Sequence, residues 1–220
     1  EAILSKIDAI CDFSKDKSFN KIEHPIQIAN YVKLNELARK LPHPNGQGSQ
    51  KVSLKDKVIL ITGAGAGLGR AHALWLAKYG AKVVVNDIVN PYDVVNEIKK
   101  HGGEAHADKH NAATDADAMV KNVLDKYGRI DALINNAGIL RDKSFLKMTD
   151  KLWKDVFEVH LVGTFKLCKA VWPVFLKQKY GRIVNVTSTS GIYGNFGQAN
   201  YAAAKAAVLG FSRTLAIEGK

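Results

Sequence analysis

From residue 54 onward, short β-branched runs alternate with longer stretches whose apolar residues recur at helical spacing. Strands are expected over 58–62, 82–86, 130–135 and 182–187, where Val, Ile and Leu dominate. Helices are expected over 69–79, 93–101, 115–127, 151–178 and 201–218. Apolar strands separated by amphipathic helices predict an α/β fold, a Rossmann-type doubly wound parallel sheet with right-handed crossovers. Such a sheet gathers ligand-binding groups at the carboxyl ends of its strands.

The first quarter of the chain has a different pattern. Ile3, Ile7, Ile10 and Phe13 recur at helical spacing, and 28–41 carries Val32, Leu34, Leu37 and Ala38 among charged positions, so two short amphipathic helices are expected. The Pro, Gly and polar residues of 41–50 read as a linker. The expected organisation is a helical tail plus linker in 1–52 and a nucleotide-binding domain in 53–220. Two short helices bury too little surface to fold alone, which makes them a packed arm or the tail of an upstream domain.

Composition narrows the class. With 46% hydrophobic and 24% charged residues in 220, the chain is neither disordered nor fibrous, and no uninterrupted apolar stretch approaches the roughly 20 residues of a bilayer span. Cys11 and Cys168 stand apart from each other and from any metal-binding spacing, so neither a disulfide framework nor a metal site is expected, and a reducing compartment is. Lys and Arg number 32 against 21 Asp and Glu, a surplus of +11 that is spread along the main body. It suits phosphorylated ligands, while the lack of interleaved aromatic and basic residues argues against nucleic acid.

The first expected strand runs into Thr62-Gly63-Ala64-Gly65-Ala66-Gly67-Leu68-Gly69, a glycine-rich turn that opens a helix. Exposed N–H groups and the positive end of the helix dipole at such a turn stabilise a pyrophosphate. A glycine pattern by itself is also a plain tight turn. Here Gly63, Gly67, Leu68 and Gly69 follow a strand, precede a helix and are answered by Asp87 after the second strand, the context of a dinucleotide site. A carboxylate at that point accepts the ribose hydroxyls of NAD and repels the 2′-phosphate of NADP, so NAD is the expected cofactor; the alternative is a surface Asp ending a strand. Asn135, Asn136, Ala137 and Gly138 end a later strand, where small residues let a cofactor pass, although an Asn there also serves to hold neighbouring strands.

Tyr201 and Lys205 stand four apart at the start of a helix and project from one face. An ammonium beside a phenol favours the phenolate, which can take a proton from an alcohol or return one to a carbonyl. An ordinary surface pair has the same spacing. Among the hydroxyls of Thr187, Ser188, Thr189 and Ser190, which follow the last expected strand, Ser188 is the candidate for orienting the reacting oxygen; a turn serine is the alternative.

In order and spacing, the 62–69 turn, the Asn135 to Gly138 run, Ser188 and Tyr201-x-x-x-Lys205 resemble the short-chain dehydrogenase/reductase family. The resemblance covers 54–220 and implies NAD-linked oxidation in which Tyr201 is acid/base, Lys205 binds the nicotinamide ribose and tunes Tyr201, Tyr201 and Lys205 both belong to the cofactor site, and Ser188 and Tyr201 hold the substrate. The stretches 159–165, 180–182 and 190–201 are similar to the (3R)-hydroxyacyl-CoA dehydrogenase branch of that family, which serves peroxisomal β-oxidation within multifunctional enzymes. In the fungal form two such units stand in tandem, and residues 1–50 fit the junction between them. The resemblance implies a peroxisomal location, oxidation of 3-hydroxyacyl-CoA to 3-ketoacyl-CoA, and a homodimer or tandem pseudo-dimer through the helices over 151–178 and 201–218. Another secondary alcohol or ketone, such as a steroid or a ketoacyl thioester, and a catalytically incomplete NAD-binding module are the alternatives.

Two departures accompany the resemblance. Most family members carry Asn where this chain has His160, a catalytic candidate that would hold a water in the proton path through its carbonyl or its ring, or would simply be packed. The family fold also continues with further strands and a substrate-covering segment after the helix of Tyr201, so the sheet is expected to be truncated on its C-terminal side.

Overall fold

The computed structural model describes residues 53–219; the helices and linker expected in 1–50 lie outside the described residues. Five parallel strands, β1 (Val58–Thr62), β2 (Lys82–Asn86), β3 (Glu104–Asp108), β4 (Ala132–Asn135) and β5 (Arg182–Asn185), lie in the order β3-β2-β1-β4-β5. Strand order therefore reverses beside β1, the place where a doubly wound sheet opens a crevice for a ligand. Leu60 is paired with Val84 on one side and Leu133 on the other, at the centre of the sheet.

Helices cover both faces: α1 (Gly67–Lys78), α2 (Tyr92–Lys100), α3 (Ala116–Tyr127), α4 (Asp150–Phe157), α5 (Gly163–Gln178), the single turn α6 (Ser190–Tyr193) and α7 (Ala199–Glu218). Alternation along β1 divides the core. Ile59 and Ile61 pack with Ala73, Ala77, Val94 and Ile98, while Val58 and Leu60 pack with Met119, Val123, Leu167 and Val171. The small residues Ala73 and Ala77 are buried on α1 in the first of these layers.

The structure adds β3 to the four strands expected. Its Glu-Ala-His-Ala-Asp sequence has no β-branched residue, and pairing along β2, from Lys82–Glu104 to Asn86–Asp108, holds it extended. The strand expected over 130–135 begins at Ala132; the preceding Asp131 donates its N–H to the Val58 carbonyl and turns its carboxylate to the Val58 N–H and the Arg129 guanidinium. The strand expected over 182–187 ends at Asn185.

The helix expected over 151–178 is not one α-helix. It breaks after α4 into a π-helical turn, Glu158–Val162, before α5 resumes, and Thr164 Oγ1 donates to the His160 carbonyl at 2.8 Å. By length and composition alone, Asp150–Gln178 is apolar enough to cross a membrane. Its Val156, Leu167, Cys168 and Val171 are buried within the domain, and 33% of the apolar window is buried in all.

Candidate active site

The glycine turn sits at the crevice between β1 and β4. Gly63 takes φ +61°, and a Cβ there would fall 2.8 Å from Ala137 Cα, so only glycine lets these two chain segments approach. Gly67 takes φ +53° at the start of α1 and faces open space. No side chain caps α1 and no acidic residue lies in its first turn, leaving its leading N–H groups and positive dipole end for an anion. These features fit the pyrophosphate of a dinucleotide, with Gly67, Leu68 and Gly69 supplying the backbone.

Asp87, just beyond β2, accepts the Gly65 N–H through Oδ2 at 3.0 Å and the Val89 N–H through Oδ1 at 2.9 Å. Each carboxylate oxygen keeps an acceptor position for a ribose hydroxyl. The Asp87 N–H in turn donates to the Asp108 carbonyl at 3.0 Å. Asp108 is buried, and its carboxylate accepts from Asn86 Nδ2, the His110 N–H, His110 Nδ1 and Asn122 Nδ2 at 2.7 to 3.0 Å. Four donors fill its four acceptor positions, so it serves to fix the end of β3 beside Asp87. Sequence reasoning missed this network because it missed β3; the cluster of Asn, Asp and His at two strand ends was its only trace.

The Asn side chains after β4 build scaffold rather than face a cofactor. Asn136 donates through Nδ2 to the carbonyls of Thr62 and Gly63 at 3.0 and 3.1 Å, and Thr62 Oγ1 receives the N–H groups of Asn136 and Ala137. Asn135, almost fully buried, donates to Asn185 Oδ1 at 2.9 Å and to Cys168 Sγ at 3.3 Å. The alternative expected for these residues, that an Asn holds neighbouring strands, describes the side chains of both.

The chemical groups collect where β5 and α7 meet. Lys205 is 4% exposed, and its ammonium donates to the Val186 carbonyl at 2.6 Å and lies 5.7 Å from the centre of the Tyr201 ring. Burial pulls its pKa down to about 8. Thr187 Oγ1 donates to the Lys205 carbonyl at 2.8 Å, and Gly191 on α6 packs so closely that a Cβ would meet Lys205 Cβ at 3.0 Å. The end of β5 is thereby held on α7. Ser188 Oγ accepts the Ser190 N–H at 3.2 Å; it is a turn serine whose hydroxyl proton remains free to donate.

Asn200, which sequence reasoning did not single out, anchors Tyr201. It is fully buried, accepts the Tyr201 N–H at 2.7 Å, and donates to the carbonyls of Arg141 and Leu152. His160, in the π-turn, meets the Tyr201 ring edge-on with centroids 5.1 Å apart. Burial, with a smaller contribution from Lys205, pushes its pKa down to about 4, so the ring is neutral at physiological pH. Its carbonyl accepts the Thr164 hydroxyl and keeps a second lone pair. Tyr201, Lys205 and His160 thus share one site. A buried cation, a phenol and a free serine hydroxyl beside a dinucleotide crevice can exchange a proton with an alcohol or carbonyl while hydride moves to or from a bound cofactor.

Comparison with known proteins gives the same picture. The sequence profile described as short chain dehydrogenase matches residues 57–220. The chain is 60% identical, over all of its length and 24% of the relative's, to the peroxisomal hydratase-dehydrogenase-epimerase of Saccharomyces cerevisiae. It is 56% identical to the protein of the same name from Neurospora crassa, over 99% of this chain and 23% of that one. The solved full-length peroxisomal multifunctional enzyme type 2 from Drosophila melanogaster superposes with a TM-score of 0.68 at 48% identity, over 76% of this chain and 29% of that chain. The chain thus spans about a quarter of the length of the fungal relatives it matches.

Proposed function

Because the chain belongs to the short-chain dehydrogenase family, an oxidoreductase family that uses nicotinamide dinucleotides, we propose that it oxidises (3R)-3-hydroxyacyl-CoA to 3-ketoacyl-CoA with NAD. In this reading it is the dehydrogenase unit of a peroxisomal multifunctional enzyme of fatty acid β-oxidation. The observation that carries the chemistry is the buried Lys205 ammonium, fixed on the Val186 carbonyl beside Tyr201 at the strand ends. The substrate class and the location rest on the similarity to peroxisomal hydratase-dehydrogenase-epimerases.

A nicotinamide dinucleotide held in this crevice would supply the acceptor for the hydride from C3 of the substrate. The residues do the rest. Tyr201, as phenolate, removes the proton of the C3 hydroxyl, and Ser188 donates its own proton to the same oxygen and orients it. Lys205 offsets the negative charge of the phenolate and hydrogen-bonds the nicotinamide ribose. Gly63, Gly67, Leu68 and Gly69 cradle the pyrophosphate, and Ala137 and Gly138 leave room along β4.

NAD is favoured over NADP by Asp87 and by the state of Arg70. That guanidinium, the nearest cation to the glycine turn in sequence, donates to both carboxylate oxygens of Glu97 at 2.7 Å and is tied off from a 2′-phosphate. The outer faces of α5 and α7 carry Phe165 and Phe211 in edge contact at 6.2 Å, an aromatic surface suited to a second domain of this kind. Whether that domain is a second copy or a tandem sister, it completes a four-helix contact.

The test is NADH formation from (3R)- and (3S)-3-hydroxyacyl-CoA, beside Tyr201→Phe. Oxidation of the 3R form alone, lost in the variant, supports the reading. Reaction of neither isomer, with NADPH-linked reduction of a 3-ketoacyl thioester instead, would assign the site to the reductive alternative.

A further inference from the structure

His160 joins three parts of the site. Its Nε2 lies 2.8 Å from the Ile139 carbonyl oxygen and 3.0 Å from the Ile139 nitrogen. Either neutral tautomer therefore has a partner, donating to the carbonyl or accepting from the N–H. Gly138 packs on the ring edge, where a Cβ would fall 2.5 Å from Cε1. The opposite contact is the perpendicular one with the Tyr201 ring. Nδ1 is buried with no partner among the described residues, and His160 as a whole is 3% exposed.

We propose that His160 is a positioning residue that clamps the turn 136–139 and braces the Tyr201 ring against it, and that it carries no proton to or from the substrate. The turn is a chain of short-range contacts: Asn136 and Ala137 are bound to Thr62, Ala137 abuts Gly63, and Ile139 ends on His160. Release of Ile139 frees the wall along which a cofactor passes while leaving the glycine turn and Asp87 in place. The site favours an uncharged ring. An imidazolium would keep the bond to the Ile139 carbonyl but give up the acceptor for the Ile139 N–H, and would set a second cation near Lys205, the one ionised group among its close neighbours in the described residues; Tyr201 is the other titratable group that faces it.

The inference rests on Tyr201 as the acid/base, and the test separates the two. Two variants of the full chain are compared with the parent. His160→Leu keeps bulk and removes both polar contacts, whereas His160→Gln offers a donor and an acceptor on one flexible amide that does not titrate. The clamp predicts that Leu lowers kcat by about tenfold to a hundredfold with KM for NAD little changed, as expected for a misplaced reacting group. Gln recovers most of that loss, with the pH dependence of kcat as in the parent. In the free protein, nitrogen-15 NMR of the imidazole shows no titration between about pH 5 and 8, the range in which an unperturbed histidine changes charge. A Gln variant as impaired as Leu, loss of the acid limb of kcat in Gln, or an imidazole titrating in that range would overturn the proposal. Absence of turnover in the parent would instead overturn the substrate reading, and the NMR titration would still decide the state of His160.

Discussion

The carboxylate of Asp87 accepts the Gly65 N–H at 3.0 Å, so the acidic residue that follows β2 also shapes the glycine turn that follows β1. On the proposed function, recognition of the ribose and of the pyrophosphate would be coupled through one side chain. Asp87→Ala is expected to weaken NADH binding about tenfold, roughly 1.4 kcal/mol, and to narrow the preference over NADPH. Asp87→Asn keeps an acceptor for Gly65 and lifts only the charge, so its loss of NADH affinity should be smaller while NADPH binding improves. Fluorescence titration with both reduced cofactors separates the two effects.

Removal of one oxygen tests the acid/base assignment. Tyr201→Phe keeps the ring that meets His160 and Lys205, and its backbone N–H still reaches Asn200. Turnover should fall by about a hundredfold to ten-thousandfold, the usual worth of a general acid or base. NADH affinity should change by less than about twofold, a far smaller factor than removal of a direct contact costs. A rate near the parent's would remove Tyr201 from the chemistry.

Two buried bases give stability a dependence on pH. The folded pKa of His160 is pushed down to about 4 from 6.5, so between these values the unfolded chain holds a proton that the folded one lacks. Stability is full above about pH 6.5 and falls by about 3 kcal/mol as the pH drops to about 4; His160→Gln should flatten this slope. Lys205 runs in the same sense at higher pH. Its folded pKa is about 8 against 10.5, so stability rises between these values, and Lys205→Met should abolish that rise. Urea unfolding at a series of pH values reads both.

Cys168 should be chemically silent in the folded protein. It is buried against Asn135 and Asn185, and burial pushes its thiol up to about 11, so the thiolate needed for attack is scarce. Iodoacetamide at neutral pH should leave the Cys168 peptide unmodified until denaturant is added, as peptide mass mapping would show.

Much of this arrangement was legible in the sequence because the elements that carry it are patterned strongly. β1 and β2 carry the unbroken apolar runs 58–61 and 83–85, and the spacing of Tyr201 to Lys205 places both on one helix face whatever the surroundings. β3 was hidden because its stability comes from pairing with β2 and from the buried Asp108 network rather than from its own residues. For Asn135 and Asn136 the sequence left cofactor contact and strand-holding both open, and only the partners Thr62, Cys168 and Asn185 reveal that their side chains bond within the scaffold. His160 could be singled out as unusual, yet its clamp on Ile139 depends on a helix break that apolar periodicity does not report.

That break has an arithmetical consequence. The π-turn Glu158–Val162 contains one residue more than an α-turn would, and α5 takes its rotational setting from the count. Deleting one residue there would return the segment to an ordinary α-turn and keep the rotational setting of α5, whereas the same deletion inside α4 or α5 would turn everything beyond it by about 100° around the helix axis. Leu167, Cys168 and Val171 would stay on the sheet, and the loss would fall on His160 and its contact with Ile139. In a deletion scan the turn should therefore stand out as a tolerant point between two intolerant helices, its extra residue serving the site rather than the fold.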